Sequence, residues 1–149
     1  MTKKTGFQVP FETTLLVRDA CLCLHVQRAA RALARRFDDA LRPVGLTSGQ
    51  FSLLMSLNRP GPAPMKGVSA LLGMDRTTLT AALKVLERRL LKVAVDPADR
   101  RGRLLTLTVR GRETLAAAVP VWKAHHARLE ALLPGGGDAL RDGLSRLAQ

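Results

Sequence analysis

The sequence predicts a mainly α chain that carries one small β-hairpin. Three observations lead there. Hydrophobic residues make up 46% of the 149 positions while aromatics make up 3% and tyrosine is absent, so the core is built from Leu, Ala and Val, which suits helices better than sheet. Apolar residues recur at three- and four-residue steps over long stretches near both ends. Between them, Val68 to Val109 reads VSALLGMDRTTLTAALKVLERRLLKVAVDPADRRGRLLTLTV. This is a short apolar helix, a turn at Gly73, a helix opened by Asp75, and two strand-like runs joined by the basic loop Asp96 to Arg103. Helix, turn, helix and basic hairpin together make a winged helix-turn-helix, a device for reading duplex DNA.

The elements follow in order. From about Phe11 to Leu41, Leu15, Leu22, Val26, Ala29, Leu33, Phe37 and Ala40 mark one long amphipathic helix, with Arg28, Arg31, Arg35 and Arg36 beside the stripe. Pro43 and Gly45 stop it, and Thr47 caps the next helix, SGQFSLLMSLN. Three prolines in five residues, Pro60 to Pro64, make the next stretch a stiff connector. The helix-turn-helix starts near Met65. Its second helix is expected over Arg76–Leu91, with Leu79, Ala82, Leu83, Leu86 and Leu90 on the inner face. Leu104, Leu105, Leu107 and Val109 give the return strand of the hairpin, and Thr108 caps a last long helix reaching about Leu133. Pro120 bends that helix, Gly135 to Gly137 break it, and Leu140, Leu144 and Leu147 mark a short terminal helix.

The two ends are long, amphipathic and remote in sequence from the hairpin, so their apolar stripes call for a second subunit. The expected organisation is one domain over residues 1–149. Residues 1–58 and 110–149 form a helical dimerisation and sensing region, and residues 59–109 form the DNA-binding lobe.

Charge points to the partner. The formal net charge is +12 and, from Arg76 to Arg112, ten Lys/Arg face three Asp/Glu, so +7 of it lies in a quarter of the chain. Such concentration suits a polyanion, here double-stranded DNA. No secretory signal or membrane-length apolar run is present, so the expected location is cytoplasmic with no membrane partner. Two cysteines do not make a disulfide framework.

Arg76, Thr77, Thr78, Thr80 and Lys84 lie on or near the outer face of the capped second helix, where groove readers place their contacts. Arginine grips guanine through two hydrogen bonds, and threonine offers a hydroxyl and a methyl. In the loop, Asp99 two residues before Arg101 orients that guanidinium for the minor groove, while Arg100 and Arg103 contact phosphates. No catalytic constellation accompanies them. The paired acids Asp38 and Asp39 lack a partnered base, Gly135 to Gly137 lack the surroundings of a phosphate loop, and an enzyme is not expected. No cofactor is expected either.

The runs LLGMDRTTLTAALKVLERR, DPADRRGRLLTLTVRGRETL and GLTSGQFSLL resemble the MarR family of bacterial transcription factors over nearly the whole chain. The D-x-R loop, the leucine-rich strand and L-T-x-x-G are the most specific part. The resemblance implies a homodimer on a pseudo-palindromic operator, usually a repressor, released by a small aromatic or phenolic effector or by cysteine oxidation. One departure is Leu90, where the family generally has a glycine that relaxes a left-handed cap.

The sensor has two readings. In the first, an effector lodges between the N-terminal helix, the helix after Thr47 and the helix after Thr108, with Trp122 lining the cleft, and changes the separation of the two reading heads. In the second, Cys23 falls where the hydroperoxide-sensing branch of the family keeps its reactive cysteine, although that branch's tyrosines are replaced by Gln27 and Phe37. Cys21 and Cys23, about 200° apart on an unbroken helix, can neither chelate one ion nor pair with each other. His25, His125 and His126 are read as exposed or capping residues, not metal ligands. A sequence-tolerant architectural DNA binder is the remaining alternative.

Overall fold

A computed structural model describes Gly6 and residues 8–149. The backbone divides into two compact units, one ending at Arg35 and one spanning Arg36–Gln149.

The first unit holds α1 (Phe11–Ala20) and most of α2 (Leu22–Leu41). The single helix expected from Phe11 to Leu41 is therefore two. Cys21 takes an extended conformation, φ −70° and ψ 111°. Its carbonyl accepts the first bond of α2 from the His25 amide at 3.1 Å, and its sulfur accepts from the Leu24 amide at 3.5 Å. Cys21 thus stands at the N-cap of α2, with its thiol where a serine hydroxyl usually serves. Neither glycine nor proline marks the break, which is why periodicity alone reads through it.

The second unit is built around helix caps that the sequence announces. Leu41 leads into a 3₁₀ turn at Arg42–Val44, and α3 (Ser48–Ser56) opens with a full capping box. The Thr47 hydroxyl accepts from the Gln50 amide at 3.2 Å, while the Gln50 side chain accepts from the Thr47 amide at 3.0 Å. Asp38, one of the paired acids, accepts from the Ser48 amide at 2.7 Å, and this bond holds its carboxyl below the ordinary carboxylate range. Its role is structural.

The proline-rich connector ends in β1 (Ala63–Pro64), and α4 (Met65–Leu72) and α5 (Arg76–Leu86) form the helix-turn-helix. Gly73 turns between them at φ 64°, a left-handed conformation that glycine adopts without strain. The Ser69 hydroxyl donates to the Met74 carbonyl across the same turn. Strands β2 (Leu91–Val95) and β3 (Arg103–Leu107) form the hairpin, and β1 adds to the far side of β3. The sheet thus has three antiparallel strands in the order β1-β3-β2, with Ala63 opposite Leu105 and Val93 opposite the same residue. The expected two-stranded wing lacked β1.

The reading helix is shorter than expected. It ends at Leu86 instead of Leu91, and Arg88, at φ 72°, takes the left-handed residue. Among the described non-glycine residues only Arg88 has a positive φ, so Leu90 is not strained by the absence of glycine. Leu90 is instead buried, and its carbonyl accepts from the Thr108 amide at 3.0 Å. Helix α6 (Val109–Glu130) begins at that point, taking Val109 out of the return strand. A Cβ on Gly111 would lie 2.0 Å from the Leu90 carbonyl oxygen. The glycine of L-T-x-x-G is therefore required by close backbone approach, not by turn geometry. Pro120 lies inside α6 without ending it, and α7 (Asp138–Leu147) follows the glycines.

Leu41, Leu53, Leu54, Leu79, Leu91 and Leu105 are fully buried in one core that also takes in Leu115 and Ala118 of α6. The inner face of the reading helix is as expected, with Leu79, Leu83 and Leu86 buried. No described helix is long and apolar enough to cross a membrane.

Candidate nucleic-acid interface

Asp75 caps α5 by accepting from the Thr78 amide at 2.7 Å. That bond lowers its carboxyl below the ordinary value. The cap fixes where the first turn begins, and the first turn presents Arg76, Thr77 and Thr78, all exposed. Lys84 is exposed two turns further along. Thr80 is half-buried, and its hydroxyl donates to the Arg76 carbonyl at 2.7 Å. Its proton is thus engaged within the helix, and what it offers outward is an acceptor and a methyl.

The hairpin tip, which is the wing, is organised by its two aspartates. Asp96 accepts from the Ala98 amide at 2.9 Å and Asp99 from the Arg101 amide at 3.0 Å. Asp99 therefore fixes the backbone of Arg101, whereas the sequence pattern suggested a grip on the guanidinium. The effect is indirect: the carboxylate sets where the Arg101 side chain leaves the loop and leaves its charged end unpaired. Arg103 folds back, donating to the Arg100 and Gly102 carbonyls at 3.1 and 3.0 Å.

One bond joins the two reading elements. The Arg76 guanidinium donates to the Arg101 carbonyl at 3.3 Å, across 25 residues of sequence. Between α4, the start of α5 and the wing lies an open cleft of about 440 Å³, lined by Lys66, Ser69, Arg76, Asp99, Arg101 and Arg103 among others. Among the described residues, none of Arg76, Lys84, Arg100, Arg101 and Arg103 is in an ion pair. Their charges are free to replace the counterions of a phosphate backbone. Lys66 is the member that sequence reasoning missed. The pairing of β1 with β3 brings the start of α4 beside the wing, and no local pattern encodes a contact that distant.

The sensor candidates lie elsewhere. Trp122 is half-buried, stacked on His126 at 4.6 Å and on Phe51 at 6.1 Å between ring centres. His125 meets Phe37 edge-on at 4.8 Å, and its Nε2 is buried without a hydrogen-bond partner. The two histidines, expected as exposed or capping residues, are half-buried members of an aromatic cluster. Cys23 is exposed and Cys21 half-buried. Among the described residues no group of three or more His, Cys, Asp and Glu side chains is placed to hold a metal ion.

No family model matches the chain. The transcriptional regulator MosR of M. tuberculosis, solved in complex with DNA, matches at 38% identity and a TM-score of 0.79, covering 87% of this chain and 94% of that one. The chain belongs to the MarR family of transcriptional regulators. A second match to this MarR-family chain is the repressor CouR bound to a 23-mer DNA duplex, at 33% identity and a TM-score of 0.77, covering 89% of this chain and 96% of that one. CouR of Rhodococcus jostii RHA1 has also been solved with p-coumaroyl-CoA. By sequence, the HTH-type regulator YwoH of Bacillus subtilis strain 168 is 31% identical over 83 residues, or 56% of this chain and 61% of that relative. The chain thus spans about three-fifths of that curated relative's length. These relatives are transcriptional regulators, not enzymes, and the mainly α winged helix-turn-helix expected from the sequence is the family fold.

Proposed function

We propose that this chain is a sequence-specific DNA-binding repressor that acts as a homodimer on a pseudo-palindromic operator and leaves it when a small effector binds. The observation that carries this reading is the bond from Arg76 to the Arg101 carbonyl. It ties the first turn of the reading helix to the tip of the wing, so that one rigid surface addresses a major groove and the minor groove beside it. Arg76, Thr77, Thr78, Thr80 and Lys84 read the major groove. Arg101, placed through Asp99, enters the minor groove, and Arg100 and Arg103 hold phosphates. Two relatives solved with DNA support the partner.

In this reading, residues 1–58 and 110–149 pair two copies and sense the effector, while residues 59–109 read DNA, all in the cytoplasm. Exposed Leu140, Leu144 and Leu147 on α7 support the pairing. Effector control is supported by the CouR complex with p-coumaroyl-CoA. The stack of Phe51, Trp122 and His126 offers an aromatic effector parallel ring faces, and the unpaired Nε2 of His125 offers a polar contact. Half-sites must sit about one helical turn apart, so a small change in the separation of the reading heads removes specific affinity.

Fluorescence anisotropy tests the reading. On DNA upstream of its own gene, at physiological salt, the protein binds about a thousandfold or more tighter than on scrambled DNA. Equal affinity for both, set only by salt, would mark an architectural binder instead.

A further inference from the structure

We propose that the arginine face of α2 is a second anion site, one that holds a chain of linked phosphates. Arg28, Arg31 and Arg35 are exposed and, with His25, Ala29 and Ala32, line an open groove of about 520 Å³. At about 100° per residue the three arginines fall within about 60° of one another, on the side of α2 opposite Leu22, Val26 and Leu33. A second copy that covers that apolar stripe therefore leaves the arginine face in water. The local charge is one-sided, since residues 22–37 contain four arginines and no acid. The acids that flank this stretch are engaged elsewhere: Asp19 with Arg18 at 2.6 Å, Asp38 with the Ser48 amide at 2.7 Å, and Asp39 with Arg42 at 2.6 Å. Among the described residues, none of Arg28, Arg31 and Arg35 is in an ion pair. Like charges three and four residues apart on a helix repel one another, and an anion bound to all three relieves that repulsion.

The lining sets the ligand. A guanidinium meets a phosphate through two parallel hydrogen bonds. With a rise of about 1.5 Å per residue, Arg28 and Arg35 leave the helix about 10 Å apart. Three such forks are thus spread along the groove, and a chain of phosphates engages more of them than one orthophosphate does. His25 closes one end, its ring fixed by the bond from Nδ1 to the Cys21 carbonyl at 2.8 Å. Ala29 and Ala32 are the small side chains that give the groove its room, and no Phe, Trp or large aliphatic side chain lines it. The groove therefore offers no apolar wall to a base or an acyl chain. Its ligand is recognised by linked phosphates alone, whether inorganic or the tail of a nucleotide. The site shares no residue with the reading surface and does not rest on the function proposed above.

The wing is cationic too, so the test separates the two surfaces. The full chain carrying Arg100→Gln and Arg101→Gln is titrated with tripolyphosphate by calorimetry at physiological salt, with and without Arg28→Gln, Arg31→Gln and Arg35→Gln. Glutamine keeps the helix propensity of arginine, and circular dichroism checks the fold. The three α2 substitutions should weaken binding by about tenfold or more, the effect of losing a hydrogen bond to a charged group. ATP should match tripolyphosphate, orthophosphate should bind more weakly, and adenosine should not bind. In the wild-type chain, tripolyphosphate should shield Arg28, Arg31 and Arg35 from phenylglyoxal, read by peptide mapping, which decides the matter even if the substituted chain fails to fold. With the α2 substitutions alone, affinity for duplex DNA should stay at the wild-type value, because charges more than about 8 Å from the duplex are screened at that salt. Equal affinity for tripolyphosphate with and without the α2 arginines, or arginines left unshielded, would overturn the proposal. Binding of ATP without tripolyphosphate would overturn the ligand class. A loss of duplex affinity from the α2 substitutions would make this face a DNA contact and overturn the site as a separate one.

Discussion

The middle of the chain and its two ends solve the burial problem differently. Among the described residues, every buried hydrophobic side chain lies between Leu41 and Ala118, whereas α1 and α7 bury none. Yet the ends are not polar: Leu16, Val17, Leu22, Val26, Leu132, Leu140, Leu144 and Leu147 are large, apolar and exposed. The winged helix-turn-helix therefore draws its stability from a core that it shares with α3 and α6. The stripes at the ends are uncovered in the single chain, and in the proposed homodimer their burial would make part of the stability depend on concentration. In the homodimer proposed above, this difference would let the reading surface stay rigid while the spacing between the two copies is adjusted.

The largest effect should come from Gly111→Ala. Its Cβ would meet the Leu90 carbonyl where α6 joins the wing, and a displacement there disturbs both elements. The expected loss is about 4 kcal/mol or more, read as the midpoint of chemical unfolding, with DNA binding lost at ordinary temperatures. Leu79→Ala, in the fully buried face of the reading helix, should cost about 2–5 kcal/mol by the same measurement. At the ends the contrast reverses. Leu144→Asp should leave the core intact by circular dichroism, yet shift sedimentation to a monomer and abolish binding to a two-half-site operator. Retention of the dimer would remove the asymmetry argued here.

Smaller effects refine the account of the reading half. Arg76→Ala should weaken operator binding by about 1–3 kcal/mol and relax preference at one base pair, measured by anisotropy against single-base variants. Thr47→Ala, which breaks the capping box of α3, should cost about 1 kcal/mol of stability and leave sequence preference unchanged. Acid provides a further check. Asp75 and Asp38 have folded-state values lowered from 3.8 by the amides of Thr78 and Ser48. Their contribution is complete above 3.8 and is lost as pH falls through that value towards the lowered ones. Asp75→Asn keeps the acceptor without the titration, so it should flatten this part of the acid-melting curve.

How much of this was legible in the sequence depended on whether the signal was local. Thr47, Asp75 and Thr108 announce their helices because a cap acts within three residues, and each is found accepting the expected amide. The inner face of α5 was legible from spacing alone. Three features were not. The strand at Ala63 exists only because Leu105, far along the chain, pairs with it, and prolines on either side obscure it. The reading helix stops at Leu86 because Arg88 accepts a left-handed backbone that glycine usually signals. The break at Cys21 uses a thiol as a cap, a role that composition does not advertise. At the interface, the sequence named the cations but not their arrangement. Lys66 joined them through β1, and Asp99 acts on a backbone amide where a side-chain pairing was expected.

The most direct test of the central claim is a hydroxyl-radical footprint of the reduced protein on its operator. Two copies that each place α5 in a major groove should leave two protected patches on one face of the duplex. Their centres should lie about one helical turn, roughly 34–36 Å, or a whole multiple of it apart, with a minor-groove flank beside each that Arg101→Ala removes. A single patch, or even protection along the whole fragment, would contradict the paired reading heads on which the account depends.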